Sequence, residues 1–474
     1  MQQLVMFLNH FQEKDINFVS LLLIRGGFDM AQQRLKRELQ PRHIRLMAIG
    51  GMIGTGIFKG SGDTISAAGP GIVFSYLFAG FLLLIVMSAI AEMAIAYPGL
   101  NIQGMIQKAF GSRFAFIVGW LYWIDWILVI IVEVLAGGSF LQYWIPFAPL
   151  WLLSLACTVF LLFINVISVK LYGEIEFWLA SVKIITLVLF ILLGVALLFG
   201  FIPNQEAAYF TNYTSHGGFF PKGWGSIFTA LLIVVFSFGG SELIGLTVTE
   251  TKNVEQTLPK VVKGVMFRVV LFYTLPILII TGLIPWDEVG KQGSPFVQVF
   301  SATGLQGVAH IMNFILLTAV LSAANSGMYA TSRILYSLAQ NNEAPALFSR
   351  LTKRGVPVWG VLVSCTGLLI GSFIAFLTPE YVFGYLMSIP GFTVLLIWTS
   401  ICLAQFKLRK QYSKMPYYRV WLFPYSTLFA AAALGIIFIF FLFNAGNIIN
   451  SIVCASILIF LSVLSILVDR KKSK

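Results

Sequence analysis

Long apolar stretches recur along the chain, separated by short polar connections. A helix needs about 20 apolar residues to cross the hydrocarbon core of a bilayer. Twelve segments meet that requirement, at about 44–67, 72–97, 114–143, 150–169, 176–202, 224–248, 262–284, 303–338, 358–377, 381–405, 422–443 and 447–469. They are numbered here spans 1 to 12. The pattern predicts an all-α membrane protein of twelve transmembrane helices, with its longest connections at 203–223 and 285–302. It divides the chain into an N-terminal segment (1–43), spans 1–5 (44–202), spans 6–10 with the loop before them (203–405), and spans 11–12 with a short tail (406–474).

The N-terminal segment has a different character. Its apolar run Ile16–Ile24 ends in Arg25-Gly26-Gly27 and lacks a small-residue cleavage pattern, so it does not read as a signal peptide. The run is also too short to span a bilayer. Residues 1–29 differ from everything after them, which raises the expectation that they are an extension and that Met30 is the natural start.

Charge gives the spans a direction. With both termini on the cytoplasmic side, 27 of the 31 basic residues fall in inner segments, and only Lys222 and Lys291 fall in outer loops. Lys59 and Lys183 lie within spans. This asymmetry follows the positive-inside rule, and a missed or extra span would scramble it. The net charge of +12 is therefore an orientation signal and not a sign of nucleic-acid binding. Composition agrees: 58% of residues are hydrophobic and 11% charged, where a soluble domain carries about 25% charged. That excludes a soluble enzyme, a disordered protein and a disulfide scaffold. Cys157, Cys365, Cys402 and Cys454 all sit in apolar stretches without a CxxC pair, as buried thiols would.

Two interruptions stand out. Span 1 contains Gly50-Gly51-Met52-Ile53-Gly54-Thr55-Gly56, and each glycine costs a helix about 1 kcal/mol relative to alanine. Span 6 contains Phe236-Ser237-Phe238-Gly239-Gly240-Ser241-Glu242. Helical rise puts both about 15 Å or more from the bilayer surface, near mid-depth. They lie five spans apart, so a second set of five spans would be inverted relative to the first. Paired interruptions in such repeats mark a transporter's substrate site. Close helix packing through small residues is the competing explanation.

A broken helix offers N–H groups at the start of its second half and carbonyls at the end of its first. The backbone from Ile53 through Gly54, Thr55, Gly56 and Ile57 is thus a candidate carboxylate cradle. The carbonyls of Phe236, Ser237 and Gly239 are candidates for an ammonium group. An anion cradle facing a cation cradle fits a zwitterion such as an α-amino acid. The rings of Phe236 and Phe238 either close over that substrate or simply pack.

Charged residues inside a membrane are functional candidates by default, since each costs about 2.5–3.5 kcal/mol at mid-span. Lys183 in span 5 is a candidate proton carrier, with snorkelling as the alternative. Asp125 in span 3 is a candidate for contacting a substrate ammonium or relaying a proton, and Glu133, eight residues on, is its rival. Either acid could instead be a paired structural group. Glu92, near the inner end of span 2, is expected to pair with a basic neighbour. Glu242 is expected to brace the span 6 break or to join a gate. The four histidines have no metal-ligand spacing, and no P-loop is present.

Several motifs together resemble the amino acid permeases of the amino acid–polyamine–organocation superfamily. They are Arg42-His43-Ile44 with Ile49 through Phe58, Ala91-Glu92-Met93-Ala94 to Pro98, and Gly119-Trp120-Leu121-Tyr122-Trp123. Glu176-Phe177-Trp178 with Lys183, Phe238 to Glu242, Glu250 to Asn253, and Asn325 to Arg333 complete the set. The resemblance covers about residues 34–470. It implies a five-plus-five inverted repeat with broken helices 1 and 6 and two extra helices. It further implies secondary amino acid uptake by alternating access, with span 1 amides on the substrate carboxylate and span 6 carbonyls on its amine. Lys183 falls where proton-coupled relatives place a lysine and sodium-coupled relatives a sodium ion, which favours proton symport. Aligned on Gly119-Trp120, Asp125 falls near the substrate amine. The chain departs from the family at Gly99-Leu100-Asn101-Ile102-Gln103-Gly104, where many members carry Ser-Gly-Ser after the proline, which implies a different bend or gate.

The expected protein is thus not an enzyme. It is a proton-coupled permease of the cytoplasmic membrane, with the proton as coupling ion and no cofactor. Its partners are an amino acid, protons and the lipid bilayer, with no nucleic acid, and the oligomeric state is left open. Aromatic and small residues around span 6 favour a neutral substrate over arginine or lysine. An exchanger without net proton coupling is the alternative, and a non-transporting amino acid receptor is a more distant one.

Overall fold

The computed structural model describes residues 53–167, 169–202, 207–247, 253–291, 293–302, 304–352, 355–377, 382–443 and 448–472. The N-terminal segment, the Gly50-Gly51-Met52 start of the span 1 motif and Glu250-Thr251-Lys252 lie outside the described residues. Among the described residues every regular element is helical.

Among the described residues, helices fall within each of the twelve expected spans. Seven are continuous α-helices close to the expected bounds: Val73–Ala96, Ser112–Gln142, Leu150–Ile167, Gln306–Gln340, Val358–Leu377, Val382–Arg409 and Tyr425–Leu442. Span 5 (Val169–Leu198) and span 12 (Ile448–Lys472) are also helical. Span 7 runs as Val254–Lys263, Val265–Val269, a π turn over Val270–Thr274 and Leu275–Leu283. Nine helices among the described residues are long and apolar enough to cross a membrane, and Leu150–Val166 is a shorter apolar one. The first of the nine, Gly60–Ala96, joins the end of span 1 to span 2, span 4 is the shorter helix, and span 6 is present only as short pieces. The protein is a multi-pass membrane protein.

Two segments expected as connections are helices. Ile102–Phe110 buries Ile102, Met105, Ile106 and Ala109, and its polar face is too rich for a spanning run. Asn101 caps it by accepting a hydrogen bond from the Gly104 amide at 2.9 Å. This is the departure from the family pattern noted above: Gly99 turns the chain at φ +94° and Asn101 starts a new helix. Pro295–Ala302 lies in the 285–302 connection and buries Phe296, Val299 and Phe300. The Phe296 ring meets Phe58 of span 1 edge-on at 5.2 Å. Ser294 Oγ donates to the Phe58 carbonyl at 2.6 Å.

Span 3 packs along spans 8 and 10, span 6 packs on span 10, and the described part of span 1 touches spans 3 and 6. The apolar window of span 10 is 78% buried and that of span 12 only 22%, so span 12 presents most of its side chains to lipid. Small residues set the close approaches. A Cβ on Gly327 of span 8 would stand 2.5 Å from Ile130 Cγ1 of span 3. All four cysteines are buried and free.

Candidate functional site

Within span 1 the first described helix starts just after Gly54. Ile53 is non-helical, and Gly54 is extended at φ −148° and ψ −153°. From there the chain runs as helix Thr55–Phe58 and, after Lys59, as Gly60–Ala68. An interruption here frees the Ile53 carbonyl and the Thr55 amide, and buried backbone groups must find partners. Two buried ionisable side chains supply them. Lys183 Nζ donates to the Ile53 carbonyl at 3.2 Å. The Thr55 amide donates to Glu133 Oε1 at 2.9 Å and Oε2 at 3.1 Å, and Thr55 Oγ1 donates to Oε2 at 2.6 Å. Lys183 and Glu133 thus hold the two sides of one break. The absence of a Cβ on Gly54 permits this, because one would stand 2.4 Å from Glu133 Oε1.

The expected anion cradle is therefore already occupied by a carboxyl side chain. Glu133 occupies the Thr55 amide, and the Ile57 amide turns back to the Gly54 carbonyl at 3.3 Å.

Span 6 breaks after Ser237. Helix Leu231–Ser237 gives way to a turn through Gly240, at φ +97°, and helix Leu243–Thr247 follows. The Phe236 carbonyl accepts from the Gly239 amide at 2.9 Å, and the Ser237 carbonyl accepts from the Tyr273 hydroxyl at 2.9 Å. Each carbonyl has a second lone pair for a further donor. The Phe238 ring lies in an aromatic cluster, 4.7 Å from Tyr273 and 5.9 Å from Tyr76. Of the two rings, Phe238 is thus packed between spans 2 and 7.

The two breaks meet. A Cβ on Gly56 would stand 2.5 Å from Ser237 Cα, so the backbones of spans 1 and 6 touch at their interruptions. The pairing of the two interruptions at one site is as the sequence pattern predicts; the residue-level contact, across 181 residues, is not legible in it.

The remaining acids separate. Asp125 accepts a hydrogen bond from Thr393 Oγ1 of span 10. Glu242 accepts from its own turn through the Gly240 amide at 3.2 Å and from Trp398 Nε1 of span 10 at 3.4 Å. Asp125 therefore belongs with Glu242 and span 10, while Glu133 belongs with Lys183 and span 1. Glu92 pairs with Arg409 at 3.1 Å, and also accepts from Gln405 Nε2 at 2.8 Å and the Val420 amide at 2.6 Å. Sequence reasoning did not single out Thr393, Trp398, Tyr273 or the acceptor role of Glu176. Glu176 stood at the expected edge of span 5, and the others are ordinary residues of apolar helices. No group of three metal-ligating side chains occurs among the described residues.

Interrupted helices five spans apart, touching at the centre of a membrane bundle and lined by buried ionisable groups, are the build of a secondary transporter. The chain belongs to the amino acid permease family, whose model (Amino acid permease) matches residues 43–473. It is 42% identical over 89% of its length to an uncharacterized amino acid permease, YvbW, of Bacillus subtilis (strain 168), covering 95% of that protein. It is 40% identical to the gamma-aminobutyric acid permease of the same organism, over 86% of this chain and 88% of that one. It is 38% identical to the D-serine/D-alanine/glycine transporter of Escherichia coli (strain K12), over 80% and 82%. These relatives are permeases and transporters, not enzymes.

Proposed function

We propose that the protein takes up a neutral amino acid across the cytoplasmic membrane by proton symport and alternating access, with both termini inside. The observation that carries this reading is the pair of ionisable groups on one helix break, Lys183 on the Ile53 carbonyl and Glu133 on the Thr55 amide. The substrate carboxylate replaces Glu133 on that amide. Glu133, once released, takes a proton and no longer competes as an anion. The substrate amine sits against the free lone pairs of Phe236, Ser237 and Gly239, with Asp125 beyond them. Spans 1–5 (44–202) and 6–10 (203–405) act as the two repeats that rock about this point. The gamma-aminobutyric acid permease and the D-serine/D-alanine/glycine transporter are named for small zwitterions, which supports a neutral substrate.

The test is uptake into proteoliposomes of a radiolabelled panel of the twenty amino acids, with and without an imposed pH gradient. Accumulation of a neutral amino acid only with the gradient is the expected result. Uptake that requires substrate inside and ignores the gradient would establish an exchanger instead.

A further inference from the structure

Most carbonyls at the span 6 break find their donors within the turn itself. The Val235 carbonyl accepts from the Phe238 amide at 3.1 Å, Phe236 from Gly239 at 2.9 Å and Phe238 from Ser241 at 3.3 Å. Ser237 stands apart from this series. Its carbonyl takes a donor from another helix, the Tyr273 hydroxyl of span 7, at 2.9 Å. Ser237 is also the residue that Gly56 approaches, so this carbonyl belongs to the point where the two breaks meet. The proposed cycle gives Tyr273 no role.

Tyr273 reaches that point from a local irregularity. It is the fourth residue of the π turn Val270–Thr274. A π turn holds one residue more than an α turn, so the side chains in and beyond it are offset by up to one position, about 100° around the axis. Turns of this kind recur at functional sites. The Tyr273 ring is then fixed by packing. It meets Phe238 of span 6 edge-on at 4.7 Å and lies tilted against Tyr76 of span 2 at 5.7 Å. Tyr76 and Phe238 meet edge-on at 5.9 Å, which closes a triangle of three fully buried rings. The Tyr76 hydroxyl lies 3.3 Å from Thr64 Oγ1 in helix Gly60–Ala68 of span 1. The triangle is thereby tied to spans 1, 2, 6 and 7. A side chain locked in this way holds its polar atom in one place, as a residue that supports a binding group must.

We propose that Tyr273 is a positioning residue for the substrate amine: its hydroxyl occupies one lone pair of the Ser237 carbonyl and fixes the other where the ammonium binds. A carbonyl oxygen has the capacity for both donors. The hydroxyl also satisfies this carbonyl while the site is empty, so substrate adds a bond without first breaking one. Tyr273 does not itself touch the substrate. The inference rests on the placement of the amine at the span 6 carbonyls proposed above, and it is independent of the coupling ion.

The test is uptake of the twenty radiolabelled amino acids into proteoliposomes bearing wild type or Tyr273→Phe, resolved into KM and maximal rate. The same constants are read from counterflow if the protein is an exchanger. Tyr273→Phe keeps the ring and its contacts and removes the oxygen alone. KM is expected to rise about fivefold, the scale of one hydrogen bond. The rise should be equal for every amino acid that wild type takes up, because the amine is common to all. Maximal rate and pH profile should stay at wild type. Thr281→Val is the control. It removes a buried hydroxyl of the same span that bonds within its own helix, at 2.8 Å from the Ile277 carbonyl, and KM should not move. An unchanged KM in Tyr273→Phe overturns the proposal, as does a lower maximal rate at constant KM. A KM rise confined to some amino acids moves the role to side-chain recognition and overturns it too. So does an equal rise in Thr281→Val, or a Tyr273→Phe protein that does not fold, since either marks a hydroxyl that serves packing. A wild type that takes up no amino acid overturns the proposed function itself, and the positioning role with it.

Discussion

Span 3 carries two buried acids on one helix, eight residues and about 12 Å apart, and they sit in different chemistry. Glu133 bonds to the Thr55 amide of a broken helix, with Lys183 as its neighbouring charge. Asp125 is bonded by the Thr393 hydroxyl, and its neighbouring charge is Glu242, another acid. In the proposed cycle the first environment exchanges partners: a substrate carboxylate replaces Glu133 on the amide, and Glu133 takes a proton. The second braces spans 3, 6 and 10 around the other break. Both are buried carboxyl side chains of one helix, so what distinguishes them is what each acid faces.

This division can be broken experimentally. The largest effect is expected at Lys183→Ala, which leaves Glu133 without its neighbouring positive charge. Gradient-driven accumulation should vanish, and a proteoliposome assay that finds the wild-type level would end the claim. Next is Glu133→Gln, which keeps an acceptor for the Thr55 amide but loses the charge. Accumulation should fall about tenfold or more by the same proton-transfer reasoning, and uptake should lose its dependence on external pH. Gly56→Ala should follow, because its Cβ would stand 2.5 Å from the Ser237 backbone. Overpacking of this type costs about 1–3 kcal/mol, and the displaced breaks should reduce the uptake rate well below wild type with pH dependence intact.

Asp125→Asn should be milder. The amide oxygen still accepts from Thr393, so KM should rise by about fivefold, in line with about 1 kcal/mol for a weakened hydrogen bond, at unchanged pH dependence. A flattened pH profile in this variant would erase the distinction between the two acids. The smallest effect on transport is expected at Glu92→Gln, far from both breaks. Loss of the Arg409 pair should lower stability by about 1–2 kcal/mol, visible as a lower melting temperature, while KM stays unchanged.

Much of this organisation is legible in one dimension. The twelve spans are, because each backbone group in lipid must bond within its own helix and each span must therefore be long and apolar. The two breaks are as well, because glycines at mid-depth are poor helix formers. The helices Ile102–Phe110 and Pro295–Ala302 were not, since each is shorter than a span and reads as a connection. Glu92 was read correctly as a paired acid, and its partner Arg409 lies 317 residues away.

The linear pattern determined the membrane class, the number of spans, their charge asymmetry and the places where two helices fail, all of them local consequences of hydropathy and backbone propensity. It could not determine that Gly56 lies on Ser237, that Glu133 rather than Asp125 takes the Thr55 amide, or that Lys183 takes the Ile53 carbonyl. Those are choices of partner across helices. They depend on rotation and close approach in three dimensions, which a 3.6-residue period leaves free until the bundle packs.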